Sequence, residues 1–454
     1  MIKKQAASGW PKTFLRQRSV GVIFFYVAAA NAAENSVSGG ASVQQDFTDN
    51  YLMSQSNPEA LQGQYFVPKV GYRYNNVTEI LSIDARGSIE RFNKTEFNGE
   101  YPSINIAFKK ISERSSLSID YDVNLQSTRV SEFNDSGTFE KVASNKTSIT
   151  ARALWQIQFS PQHSVSISGM HQPTNYESDI YADLKSNALQ GNWQFQFTQR
   201  AKAYLGLSLT NYESRYFGNF PVVPLLLQGY KLCPPNSVLV SEFVCGISSG
   251  KGRAVNTTES KALRAGFEWD VHEQLKFSAG AGVAPSETVQ QINVPELPVS
   301  FGQPINKDVV FGGARQTLSD SNIQLANIGL DYNREASSFN FAAESRIQPS
   351  STGTLWKSQS VTLASRYSFS KLAWLNTDIN YSRLSSLDEK IISASIDRNI
   401  LDCQFKYNYR LTPTLTTAIS IGYRRQIENA NTKSVANAAI GAFSVSYTPQ
   451  EWIW

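Results

Sequence analysis

Only His163, His171 and His272 bring an imidazole to this chain. A hydrolytic centre needs such a base beside a nucleophile. Two of the three fall at or close to short turns, which leaves His171, with Ser166, Ser168 and Asp179 on the same hairpin arm, as the one candidate for a membrane-barrel hydrolase. No Gly-rich phosphate loop and no metal-spaced His or Cys cluster accompanies it, so neither cofactor nor metal is expected. Cys233 and Cys245 lie in one long segment and are expected to close a small disulfide ring, given a secretory route. Cys403, among Leu401, Phe405, Tyr407 and Tyr409, reads as an unpaired small hydrophobe on an apolar face.

The larger chemical content is a set of charged and amide side chains that all fall on one phase of a two-residue repeat. It comprises Asp120, Asp122, Arg152, Gln156, Gln194, Arg264, Glu268, Asp270, Glu344, Arg346, Arg366, Asp402, Lys406, Arg410 and Arg424. Their signs are mixed, so they suit either a ladder for ions or sugars or a set of salt bridges that stiffens a wall. A path for a polyanionic chain would show one dominant sign. Asp402, Gln404, Lys406 and Arg410 are expected near Arg424 on the following segment. The sequons at Asn76, Asn93, Asn145 and Asn256 read as ordinary turn and strand-end residues.

The element that positions these side chains is a strand of ten to fourteen residues, repeated from about residue 36 to Tyr447. Residues 147 to 160 set Ile149, Ala151, Ala153, Trp155, Ile157 and Phe159 against Thr150, Arg152, Gln156 and Gln158. Successive strand side chains point to opposite faces, so one face is apolar and the other wet. Short turns near Asn75, Ser112, Pro161, Arg200, His272, Asn333, Ser370 and Thr412 alternate with longer polar segments. The longest of these run over residues 217 to 258 and 288 to 320. The first carries Phe220 to Leu227, an apolar run that must bury itself as a lumen constriction or a lid. Alternation of short turns and long loops is the pattern of a transmembrane antiparallel up-and-down β-barrel, all-β, with about eighteen strands and sixteen as the other count. The smaller count arises because residues 36 to 50 and 64 to 75 pattern less well, with Pro68 weakening the second.

A soluble barrel or sandwich would alternate too, and the N-terminus decides between them. Lys3, Lys4, Lys12, Arg16 and Arg18 precede an apolar run from Val20 to Ala30 and then Ala30-Asn31-Ala32, the layout of a signal peptide. That run is too short to span a bilayer as a helix. The formal charge of +4 belongs to this segment, since removing its five cations leaves 37 basic against 38 acidic residues. Such a balance excludes a nucleic-acid partner. The expected organisation is a signal peptide over 1–32, a barrel over 33–447 and a tail over 448–454. The expected place is the outer membrane of a Gram-negative cell, with its lipid as partner. Gly441, Phe443, Val445 and Tyr447 share one face and end in an aromatic, like the terminal strand signal of outer-membrane barrels. Counting back by two from Trp454 gives Trp452, Gln450 and Thr448, which fit less well.

The strings Leu117-Ser-Ile-Asp-Tyr-Asp-Val123 and Asn211-Tyr-Glu-Ser214, the serine-rich strands such as Val165-Ser-Ile-Ser168, and the overall size carry a resemblance. The chain resembles the β-barrel porins of exopolysaccharide and exosortase-associated (PEP-CTERM) gene clusters. That resemblance implies a conduit for export or passage of saccharide or another small polar solute, and exopolysaccharide secretion machinery as a partner. It implies no catalytic residues. A structural or adhesive barrel with a closed lumen and a barrel hydrolase stand as the alternatives.

Overall fold

The computed structural model describes residues 33–129, 131–132, 144–222, 248–293, 314–349, 355–386, 397–428 and 434–454. The expected signal peptide and both Cys233 and Cys245 lie outside these residues. The chain winds through β1 (Glu34–Thr48), β2 (Leu61–Asn75), β3 (Glu79–Phe92), β4 (Gly99–Ile111), β5 (Ser115–Ser127) and β6 (Asn145–Gln158). It continues through β7 (His163–Tyr176), β8 (Asp183–Thr198), β9 (Ala201–Val222), β10 (Ser248–His272), β11 (Leu275–Asn293) and β12 (Ala314–Arg334). The circuit ends with β13 (Ser337–Pro349), β14 (Leu355–Ser368), β15 (Ala373–Ser386), β16 (Asp397–Thr412), β17 (Leu415–Glu428) and β18 (Ser434–Tyr447). Each pairs antiparallel with its neighbours, and β1 pairs with β18 from Ala41↔Tyr447 to Thr48↔Ile440, closing the sheet at eighteen strands. Closure removes every long edge, the condition for carrying backbone polar groups through lipid without water.

The direction of the side chains separates a membrane barrel from a soluble one. Ile421 is 64% exposed, Leu207 62% and Ile419 58%, and they stand on the outer face with Phe66, Ile104, Trp193, Leu205 and Phe443. No compact apolar core of ordinary size exists among the described residues; four small clusters of buried hydrophobics take its place. Apolar outside and polar inside reverses the arrangement that water selects.

All eight expected short turns fall between consecutive strands on one rim, the rim that outer-membrane barrels turn to the periplasm. The two strands expected to pattern poorly are both formed. Pro68 sits outward on β2, and the ladder to β3 skips Val67 and Pro68 between Phe66↔Ile89 and Lys69↔Arg86. A proline lacks the N–H that the ladder needs, and loss of one rung is tolerated within a closed sheet.

The long segments differ from expectation. Residues 217–222 and 248–258 belong to β9 and β10, which pair up to Ser248↔Val222, and β11 and β12 run on to Asn293 and from Ala314. Four adjacent strands thus stand taller than the rest above the outer rim. The inner face of this part is buried at Ala254, Asn256 and Thr258, while outward residues such as Thr257 and Glu259 are polar too, so the apolar-polar alternation that marks a strand in lipid fades there.

Beyond Tyr447 the chain does not leave the wall. Trp452 and Ile453 form a two-residue strand, β19, against Val37 and Ser36 of β1, and Trp454 exchanges backbone hydrogen bonds of 3.1 and 3.0 Å with Asn35. Thr448–Glu451 spans only Ser38–Gly40 on β1, so an extra residue is absorbed and the phase shifts by one. Trp452 and Trp454 therefore return to the outward face that Tyr447 occupies, which a count by twos through the bulge misses.

Candidate functional site: the lumen wall and its outer mouth

Inward residues form horizontal rows because antiparallel register sets them side by side. Gln156, Ser166 and Asn192 make one row across β6, β7 and β8. Ser164 and Gln194 stand in the next, with the serine hydroxyl donating to the amide oxygen at 3.3 Å. The result is a patch of hydroxyls and amides without charge. The charged and amide residues placed on the wet phase from the sequence stand on this inner face, opposite the exposed apolar belt, whereas Asp179 lies in the turn between β7 and β8.

Their ion pairs are local. Glu268 meets Lys202 at 2.7 Å, Asp270 meets Lys276 at 3.9 Å and Glu344 meets Arg346 at 3.2 Å. Arg424 donates through Nε to Asp402 at 2.7 Å across the β16–β17 ladder. Asp120 stands directly opposite Arg152, and Asp122 opposite Thr150. Arg410, expected near Arg424, is instead close to the periplasmic rim, opposite Thr416 and 5.8 Å from the Trp374 ring centroid. Arg366 lies 5.0 Å from the same ring, and Lys406 faces Asn376 on β15. Arg264 leans over Gly282, where a Cβ would meet its side chain.

Several inward charges were not legible from the sequence. Lys69 and Arg86 oppose each other on β2 and β3, and Arg73, Asp84 and Lys109 share their face. The missing alternation around Pro68 hid this stretch. An uncharged inward residue, Tyr204, also went unread: it lies along its row over Gly266 and Gly280 toward Asn327 of β12, 3.5 Å from that amide oxygen. Only glycines leave the wall flat enough for a ring to lie there.

The connection that leaves β5 narrows the outer mouth; of the expected constriction or lid, residues 223–227 lie outside the described residues. After β5 the chain makes a helical turn whose described residues are Thr128, Arg129, Ser131 and Glu132. Arg129 donates to the Tyr65 hydroxyl at 3.1 Å, lies 3.8 Å from Glu90 and stacks 4.5 Å from the centroid of Phe92, all inward residues of β2 and β3. Glu132 is fully buried, accepts from the Tyr176 hydroxyl at 2.8 Å and pairs with Lys146 at 3.5 Å. The turn is thus tied to the β2–β3 wall on one side and to β6–β7 on the other. Outside the wall, Lys94 in the β3–β4 connection donates to Glu59 and to the Tyr51 hydroxyl, and these bonds hold its pKa above the usual lysine range.

The hydrolase candidate comes apart on register. His171 faces outward opposite Ala151, its Nδ1 2.7 Å from the Asn187 side-chain oxygen, whereas Ser166 and Ser168 face the lumen. Two side chains of opposite parity on one strand cannot share a site. His163 stacks on Trp193 and Phe195 at the periplasmic rim, with centroids 5.7 and 4.9 Å apart. Cys403 is a free thiol on the outward face, between Ile379 and Tyr423.

Closed strand pairing, an apolar belt and a polar interior define the class: an outer-membrane β-barrel with a hydrophilic lumen. No protein-family model matches the chain, and no curated protein matches its sequence. Among solved structures it is similar to the ferric citrate transporter FecA, at 8% identity over 90% of this chain and 78% of that one, with a TM-score of 0.46. It is also similar to two Pseudomonas aeruginosa proteins. OccK3 (OpdO) has 10% identity over 92% and 96% of the two chains and a TM-score of 0.43. The outer membrane protein opdK has 10% identity over 92% and 99% and a TM-score of 0.42.

Proposed function

We propose that this barrel is a passive conduit through the outer membrane whose solute is a saccharide. The observation that carries the reading is the uncharged wall of β6–β8, where Gln156, Ser166, Asn192, Ser164 and Gln194 stand in adjacent rows. Hydroxyl and amide groups exchange hydrogen bonds with sugar hydroxyls as readily as with water, so a sugar passes without a large desolvation cost. Paired charges elsewhere on the wall keep their hydration and stiffen it. The resemblance to porins of exopolysaccharide gene clusters supports export as the direction and secretion machinery as the partner.

Reconstitution in a planar bilayer tests the conduit, with discrete conductance steps as the expected trace. Replacing Arg152, Arg264 and Arg410 together with Glu should move the reversal potential in a salt gradient toward cation selectivity. An unchanged potential would remove these side chains from the path. A silent bilayer would instead favour a closed structural barrel, the reading to which the turn in the mouth lends weight.

A further inference from the structure

We propose that the periplasmic end of the lumen holds a docking site for a sugar acid, built on β14–β16 around Trp374; the proposal rests on the saccharide-conduit reading. Trp374 faces inward between Ser368 and Asn408, with Arg366 and Arg410 against its ring at 5.0 and 5.8 Å. Arg366 and Lys406 flank Asn376 in the next row. Two guanidiniums therefore stand against one indole, with Lys406 in the adjoining row.

They differ from the paired cations of the wall. Lys202, Lys276, Arg346 and Arg424 each have a carboxylate partner, but among the described residues none stands within 4.0 Å of Arg366, Lys406 or Arg410. Two acids are near: Asp378, opposite Ala364 and Gln404, is diagonal to Arg366 and Lys406, and Asp46 lies in the Lys406 row beyond Ser420 and Ala442, where the lysine charge reaches it. The patch keeps a net positive charge on a wall backed by the apolar belt, whose low dielectric focuses the field into the lumen.

The ligand class follows from the side chains. A guanidinium held beside an indole leaves its N–H fork free to bind a carboxylate in two-point fashion. Asp378 opposes a dianion such as phosphate more than a monoanion. The indole offers an apolar surface to the C–H face of a pyranose, and Ser368, Asn376 and Asn408 beside it offer hydrogen bonds to ring hydroxyls. A ring with hydroxyls and one carboxylate uses all of these; acetate or neutral glucose uses only part.

Saturation-transfer difference NMR on the detergent-solubilised protein supplies the test, with glucuronate, glucose and acetate observed through their C–H protons and inorganic phosphate, which has none, added as a competitor of glucuronate. Glucuronate is expected to bind about tenfold more tightly than glucose or acetate, the scale of one charge-assisted contact. Arg366→Gln with Arg410→Gln should erase that preference, and Trp374→Ala should weaken glucuronate while leaving acetate unchanged. Lys406→Gln alone should reduce the preference severalfold, and it stands in if the double variant does not fold. Glucuronate binding no tighter than glucose, phosphate binding tighter than glucuronate, or variants with unaltered preference would overturn the site. A protein that conducts but does not select glucuronate loses this inference and keeps the conduit, whereas one that binds glucuronate without conducting does the opposite.

Discussion

The Tyr176 hydroxyl at the end of β7 donates to Glu132 at 2.8 Å, although Glu132 belongs to the connection that leaves β5. That bond and the Lys146 pair fasten a turn inside the mouth of the barrel. Glu132→Ala should cost about 3 kcal/mol of local stability, because a lysine is left buried after losing its carboxylate. Freed from one wall, the turn should admit more current, so single-channel conductance rises. Tyr176→Phe should do the same more weakly, at about 1.5 kcal/mol. Unchanged conductance in both variants would mean the turn does not narrow the path.

Neighbouring residues of β17 offer a direct check of which face meets lipid. Ile421 points outward and is 64% exposed, while Ser420 points inward opposite Lys406 and Ala442. Ile421→Arg should destabilise the barrel folded in vesicles by about 2–4 kcal/mol, the cost of a cation near the bilayer midplane. Ser420→Arg should cost far less and shift ion selectivity instead. Urea unfolding in vesicles measures the first and a salt-gradient reversal potential the second.

The Asp402–Arg424 pair separates a stiffening bridge from a ladder rung. Both side chains are about three-quarters buried, so removing either partner should cost about 2 kcal/mol, between the surface and buried limits. A double-mutant cycle with Asp402→Asn and Arg424→Gln should show the two changes strongly coupled in stability. Additive costs would identify the pair as independent lumen charges.

Tyr204 should respond to a single added methyl group. In Gly280→Ala the new Cβ would collide with the tyrosine hydroxyl, and the ring must swing toward the lumen. Because a free end of a side chain moves rather than backbone, stability should change by less than about 1 kcal/mol while conductance falls. Adding Tyr204→Ala to that background should restore the current.

The strands that cross lipid were legible because the bilayer imposes period two on them. On β5 and β6 the alternation gave face and neighbours together, and the eight short turns located the periplasmic rim. Where that constraint lapses, so did the reading. Upper β9 and β10 looked like loop because their outward residues, such as Thr257 and Glu259, are polar like the buried Asn256 and Thr258 of the inner face. Lys69, Arg73 and Arg86 went unplaced because Pro68 interrupts the pattern, and the phase of Trp452 and Trp454 was hidden by a bulge that no count by twos anticipates.

The sequence by itself determined an all-β barrel of about eighteen strands, its direction through the membrane and the phase on which polar and apolar side chains alternate in lipid, since each is read from residues near one another in the chain. Tertiary structure alone decided which charges meet, that Arg410 stands beside Trp374 rather than Arg424, and that Arg129 and Glu132 enter the mouth. These depend on inter-strand register and on where a loop finds its partners, quantities fixed by closure of the whole cylinder and not by any one segment.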